Sequence, residues 1–274
     1  MSTLSDKRVV VAATPEELAT LVADKFVVRA RKVLERTGAF RVVLTGGGMG
    51  TSVLQAIARH PSVHALDWSG VSVFWGDERF VAADDPERND RAAKIALLDQ
   101  LGLKDSQLVS FPAADHTLSL DAAAEQARAV LLEHGSAGQW PHFDLAFAGM
   151  GPDGHVLSVF PGSPLALVDR ADIRPVADSP KPPARRLTMT IPLLNRADRV
   201  WMVVSGPDKA AALGLALAGA SVAEVPAAGI QGLKSTKIFT DAQLADLLPE
   251  ELVHAETFWS ADDERADYVP KALR

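Results

Sequence analysis

The sequence predicts an α/β fold: a largely parallel sheet with a small additional antiparallel strand element, in one domain over residues 1–274. Two patterns point to it. Short apolar runs alternate with longer stretches of helical period, as in successive βαβ units. Polar, glycine-bearing loops also follow four of these runs directly, where loops gather beyond the carboxyl ends of strands in an open parallel sheet.

The first apolar run, residues 8–13, leads into Thr14-Pro15-Glu16-Glu17. This supplies an N-cap, a proline in the first turn and early acids, so a helix is expected over 15–35. A strand at 41–45 is followed by a glycine loop and a helix over 50–59. A strand at 71–75 precedes helices at 89–101 and 120–134, and the next strand is expected at 144–148. Ser179-Pro180-Lys181-Pro182-Pro183-Ala184-Arg185-Arg186 is a proline-stiffened loop too rigid for a helix. Leu187-Thr188-Met189-Thr190-Ile191 then alternates apolar and polar residues, as in a strand buried on one face, at a sheet edge or in a separate hairpin. Strands at 199–204 and 237–240, each followed by a helix (207–218 and 241–248), complete the pattern.

Composition excludes several function classes. With 47% hydrophobic and 23% charged residues, global disorder is ruled out. Lys plus Arg number 28 against 35 for Asp plus Glu, and the net charge of −7 argues against nucleic-acid or anionic-membrane partners. Any bound anion must be held by a local cluster. The absence of cysteine removes disulfides, thiolate nucleophiles, zinc–cysteine sites and iron–sulfur clusters, and fits a reducing compartment. Residues 1–7 are polar, and 9–13 are too short for a signal segment or a membrane span. The low-polarity stretch 210–225 is broken by Gly214 and Gly219 and reads as a small-residue helix. A cytoplasmic protein, monomeric or a small homo-oligomer, is expected.

The four loops are Gly46-Gly47-Gly48-Met49-Gly50-Thr51-Ser52, Gly76-Asp77-Glu78-Arg79, Gly149-Met150-Gly151-Pro152-Asp153-Gly154-His155 and Ser205-Gly206-Pro207-Asp208-Lys209. Backbone N–H groups of the first suit a phosphate or carboxylate, although a tight turn needing positive φ accounts for the glycines equally well. No lysine follows them as in a nucleotide-binding P-loop, and Leu233 stands where that motif needs glycine before Lys234-Ser235. Residues 149–154 satisfy G-x-G-x-x-G, but Pro161, Gly162 and Pro164 interrupt the helix that a dinucleotide fold requires. No cofactor is expected.

Of the seven histidines, six read as surface or satisfied core residues. His60 and His64 have metal-ligand spacing, yet Pro61 breaks the helix that would align them. His155 differs, because it follows a Gly-Asp-Gly turn beyond a central strand, with Asp153 and Asp77 able to approach. No G-x-S-x-G, H-E-x-x-H or clustered carboxylate–histidine metal site appears, so no metal is expected. General-base activation of water by His155, or proton transfer beside a carbonyl, remains. Arg79, Lys181, Arg186 and Lys209 lie in or beside the ligand-edge loops and together suggest a small phosphorylated substrate.

Gly149–His155 followed by Ser158-Val159-Phe160-Pro161 closely resembles the G-x-G-x-D-G-H-x-A-S-L-F-P signature of 6-phosphogluconolactonases. Phe74-Trp75-Gly76-Asp77-Glu78-Arg79-Phe80-Val81, the Lys181–Thr188 region and Gly206-Pro207-Asp208-Lys209-Ala210 agree in the same order. The resemblance implies a Rossmann-like parallel sheet with helices on both faces and hydrolysis of 6-phospho-D-glucono-1,5-lactone to 6-phospho-D-gluconate, without a cofactor. It implies that His155 is the general base and that Asp153 and Asp77 orient it or hold sugar hydroxyls. Arg79, Lys181, Arg186 and Lys209 would surround the phosphate, while N–H groups of Gly47 and Gly48 would hold the phosphate or the tetrahedral oxyanion. Two segments depart from the family pattern: Gly47-Gly48-Met49-Gly50 where Gly-Gly-Ser-Thr-Pro is common, and Arg88-Asn89 where Ser-Asn is common. A glucosamine-6-phosphate deaminase would carry Asp-Glu-Tyr instead of Asp77-Glu78-Arg79. A sugar-phosphate-sensing regulator would need room for a helix-turn-helix before the first strand.

Overall fold

The structure is a computed structural model that describes residues 7–115 and 117–253; residues 1–6, His116 and residues 254–274, His254 among them, lie outside the described residues. β1 (Lys7–Ala12) passes to α1 (Pro15–Thr37), and the Thr14 hydroxyl accepts the Glu17 N–H at 3.1 Å as the sequence requires. The helix stops at Gly38, whose left-handed backbone (φ 71°) lets its N–H return to the Leu34 carbonyl. Leu18, Val22, Phe26, Val27, Ala30 and Val33 form its buried stripe. Each large side chain there contributes roughly 1.5–3 kcal/mol by leaving water.

β2 (Phe40–Leu44) runs into α2 (Gly47–Arg59). The sequence places this helix from residue 50, but it starts three residues earlier, so the glycines form its first turn. β3 (Val71–Trp75) is followed at once by β4 (Asp77–Arg79), and then by α3 (Asn89–Ala96), β5 (Leu108–Val109) and α4 (Leu120–Glu133). The helix expected over 89–101 breaks because Leu97 leaves helical geometry (φ −148°) before a 3-10 turn at Leu98–Gln100. β6 (Leu145–Ala148), β7 (Ile173–Val176), β8 (Arg186–Met189), α5 (Ile191–Leu194) and β9 (Arg199–Val204) follow. α6 (Ala210–Leu217) begins after a 3-10 turn at Pro207–Lys209 and does not extend through the low-polarity stretch. β10 (Ser235–Asp241), α7 (Ala242–Ala245) and α8 (Glu250–Val253) end the described chain.

The main sheet is parallel throughout, with seven strands in the order β1-β10-β9-β6-β2-β3-β5. All six residues of β9 and all four of β6 are buried, so helices cover both faces of the sheet there. α1 packs on α2 and against β1, β2 and β10, which keeps the apolar stripe dry. Leu44 pairs with Trp75, and Ala148 with Met202, so the strand ends line up and the four polar loops leave from one edge.

A second sheet, β4-β8-β7, is antiparallel and packs on α4. This is the small separate antiparallel element expected from the sequence, but the structure corrects its details: β8 is neither an edge nor a strand buried on one face, since it is the middle strand and its four residues are all buried. Its polar residue Thr188 is tolerated because its hydroxyl donates to the Met189 carbonyl at 2.9 Å and accepts the Ser158 N–H at 3.2 Å. Among the described residues, no helix is long and apolar enough to cross a membrane.

Candidate active site

The four loops enclose a cleft of about 310 Å³ lined by the Gly46–Gly50 turn, Asp77, Arg79, Asn89, His155, Lys181, Arg186 and Lys209. Of the sequence-derived site residues, only Asp153 stands behind the wall, against His155.

His155 closes a turn in which the Gly151 N–H donates to its carbonyl at 3.0 Å and the Gly154 N–H donates to Gly151. Gly154 has φ +83°, and a Cβ at Gly151 would sit 2.1 Å from the His155 ring and 2.5 Å from Asp153 Oδ1. Only glycine at 151 lets histidine and aspartate meet. His155 Nδ1 lies 2.5 Å from Asp153 Oδ1, and the ring stacks on Phe160 with centroids 4.5 Å apart. An ionised carboxylate can only accept, so Nδ1 carries the ring hydrogen and Nε2 keeps its lone pair.

Burial pushes the His155 pKa below its ordinary value; Asp153 pulls it up, Lys181 pushes it down and Asp77 pulls it up more weakly. The ring is therefore held in its neutral, proton-accepting form. For Asp153, burial acts against ionisation, but His155 and Lys181 outweigh it and hold the carboxyl below its ordinary value.

The two aspartates thus separate. Asp77 makes no hydrogen bond to His155 among the described residues; its Oδ2 accepts from the Ser158 hydroxyl at 2.7 Å. Asn89 Nδ2 donates to the Asp77 carbonyl at 3.0 Å. Ser158, Phe160 and Asn89 are not among the site residues expected from sequence. Their signal lay in motif segments read for resemblance, not for contacts.

The four cations reach the cleft by different means. Arg79 donates from Nη1 to the Glu87 carbonyl at 2.6 Å, and its buried Nε has no partner among the described residues. Arg186, on β8, spends Nε on the Pro183 carbonyl (3.0 Å) and Nη2 on that of Lys181 (2.9 Å), so it clamps the proline loop as well as lining the cleft. Burial lowers its pKa, opposed by Asp77. Lys209 is likewise lowered by burial, against Asp208. Lys181 is docked at the histidine–aspartate pair, with Nζ 3.2 Å from both Asp153 Oδ1 and His155 Nδ1. Gly47 and Gly48 open α2, which among the described residues no side chain caps, and a Cβ at either would meet none of their atoms within 4 Å. Their N–H groups begin a 13-residue helix, a position that favours anions.

Against the expectation from sequence, a histidine–carboxylate cluster does form. His142, Asp144 and Asp198 converge before β6 and β9, at the opposite end of the sheet, because those strands are neighbours. Both carboxylates are engaged: Asp198 by Lys234 at 2.7 Å, Asp144 by the Arg41 N–H at 2.9 Å. As expected, α2 ends at Arg59 and does not align His60 with His64; His60 instead faces Asp24 at 3.4 Å.

The family model for glucosamine-6-phosphate isomerases/6-phosphogluconolactonase matches residues 13–239. The 6-phosphogluconolactonase of Mycobacterium tuberculosis is 42% identical over 211 residues, spanning 76% of this chain and 85% of that protein. That of Streptomyces coelicolor is 36% identical over 252 residues, spanning 89% and 96%. Among solved structures, a 6-phosphogluconolactonase from Thermotoga maritima superposes with TM-score 0.74 at 24% identity, covering 86% of this chain and 100% of that one. A monomeric glucosamine-6-phosphate deaminase superposes with TM-score 0.72 at 19% identity, covering 88% and 99%, so the fold is common to both activities. The chain belongs to the glucosamine-6-phosphate isomerase/6-phosphogluconolactonase family.

Proposed function

We propose that the protein hydrolyses 6-phospho-D-glucono-1,5-lactone to 6-phospho-D-gluconate, with His155 as general base. The observation that carries this reading is the His155–Asp153 pair, which leaves Nε2 as a base in a cleft also lined by Arg79, Lys181, Arg186 and Lys209. The lactonase relatives and the Arg at position 79 support it over the deaminase.

In this mechanism Nε2 takes a proton from water as the water oxygen attacks the lactone carbonyl. Asp153 holds the ring and stabilises the imidazolium that forms. The tetrahedral oxyanion is met by preorganised N–H donors of Gly47 and Gly48 or by a nearby cation. The carbon–ring-oxygen bond then breaks, and His155 returns the proton to that oxygen. The remaining cations hold the phosphate in ground and transition states alike.

The test is a coupled assay with freshly generated lactone, corrected for spontaneous hydrolysis, with glucosamine 6-phosphate as control. Lactone turnover that disappears in a folded His155→Ala variant is expected. Turnover of the amino sugar alone would refute the activity, and full activity of the variant would refute the mechanism.

A further inference from the structure

Glu78 stands between two cleft residues, Asp77 and Arg79, on β4. Neighbours on a strand face opposite ways, and Glu78 is 1% exposed and absent from the cleft wall. A buried carboxylate with no ligand to bind needs partners, and this one has an unusual set. Its Oε1 accepts the N–H of Arg79 at 2.8 Å and of Asn89 at 2.7 Å, and Oε2 accepts that of Asp90 at 2.8 Å. Arg88 Nη2 lies 3.8 Å away, its guanidinium gripped through Nε and Nη2 by Asp90.

Asn89 and Asp90 are the first residues of α3, whose own N-cap position, Arg88, makes no capping hydrogen bond. The helix is therefore capped from a strand about ten residues earlier in the chain. Asn89 returns the tie by donating to the Asp77 carbonyl at 3.0 Å. Its amide also rests on Gly46, where a Cβ would lie 1.9 Å from Asn89 Oδ1. Glycine loop, Asp77–Arg79 strand and helix start thus form one bracket with Glu78 as its pin.

We propose that Glu78 is a positioning residue, whose three-point hold on the main chain sets Asp77, Arg79 and Asn89 against the glycine loop and so fixes the anion-holding geometry of the cleft. This rests on the reading of the cleft as the site of a phosphorylated lactone. Glu78 touches no substrate; it acts through Arg79 and Asn89. Burial pushes its carboxyl up to about 7, against the pull of Arg88 and the two α3 N–H groups, so ionising this buried acceptor comes at a cost in stability.

The experiment compares Glu78→Gln and Glu78→Asp with the wild type. Gln keeps one acceptor oxygen but sets an amide donor against the Asp90 N–H; Asp keeps the charge and shortens the reach. Binding of inorganic phosphate is measured by calorimetry, and kcat and KM for the lactone are measured on protein shown to be folded by circular dichroism and thermal melting. A misplacement of about 1 Å costs on the order of 10²-fold in turnover, so kcat/KM is expected to fall 10- to 100-fold in Glu78→Gln, with phosphate affinity at least threefold weaker. A merely structural role would move Tm and leave both quantities in the folded protein unchanged. Values within twofold of wild type in either folded variant overturn the proposal, as does failure of both variants to fold. If the wild type binds phosphate in a Glu78-dependent way but turns over no lactone, the substrate assignment falls and the positioning role stands.

Discussion

Replacing Lys181 by methionine should make His155 a stronger base. The ammonium lies 3.2 Å from His155 Nδ1 and the same distance from Asp153 Oδ1, so it repels a proton on the imidazole and competes for the carboxylate that would stabilise it. Two unit charges about 4 Å apart interact by about 4 kcal/mol at an effective dielectric constant near 20. The Lys181 side chain is 38% exposed, and screening by water reduces this to about 1–2 kcal/mol, roughly a tenfold gain in the proton affinity of His155 on removing the charge. Methionine matches the length of the stem and leaves the proline loop to the Arg186 clamp. The shift is read directly from the His155 ring nitrogens in a pH titration followed by NMR, and independently from the acidic limb of kcat/KM for the lactone, which should move toward higher pH. Activity at pH 6 should accordingly drop more than activity at pH 8. A His155 proton affinity that is unchanged or lower in Lys181→Met would refute the electrostatic reasoning, whatever happened to substrate binding.

Three further outcomes follow from the geometry. Arg79→Ala should raise KM about tenfold or more with a smaller fall in kcat, because a phosphate anchor acts in ground and transition states alike; a large fall in kcat at constant KM would place Arg79 in the chemistry. Gly151→Ala should lower kcat by roughly 10²-fold in a protein that still folds, since the added methyl would occupy space 2.1 Å from the His155 ring; normal turnover would show that the pair relaxes freely. The third concerns pH and stability: Glu78 is raised to about 7 in the folded protein from 4.5, so its contribution is fully present below about pH 4.5 and is lost as pH rises to about 7. Thermal melts across that window should show a decline in the wild type that is absent in Glu78→Gln; parallel curves would mean that Glu78 ionises near its ordinary value.

Much of the scaffold was legible because it is written in local patterns. The Thr14 cap, the α1 stripe and the apolar runs that became β3 and β9 depend on residues a few positions apart. β4, β5 and β7 escaped notice because they have only two to four residues, too few for a period to show, and β7 contains Pro175. The alternation at 187–191 suggested one wet face; the covering of β8 by its neighbours and α4 removed it. Gly47, Gly48, Asp77, Arg79, His155 and Lys209 stand out in loops that follow strands, Lys181 and Arg186 in the proline loop that leads into β8, and the structure brings all eight to one cleft.

By itself, then, the sequence determined six of the seven parallel strands, which loops leave their carboxyl ends, and which basic and acidic residues those loops carry. Tertiary structure alone decided the pairings. Asp153 rather than Asp77 holds His155, Lys181 docks on that pair across 28 and 26 positions, Ser158 reaches Asp77 across 81, and Glu78 caps a helix that begins beyond it. The physical reason is that periodicity and capping act within a turn or two, whereas these contacts depend on the order in which strands assemble. The sequence β1-β10-β9-β6-β2-β3-β5 follows from how the buried faces fit together, and no local signal encodes it.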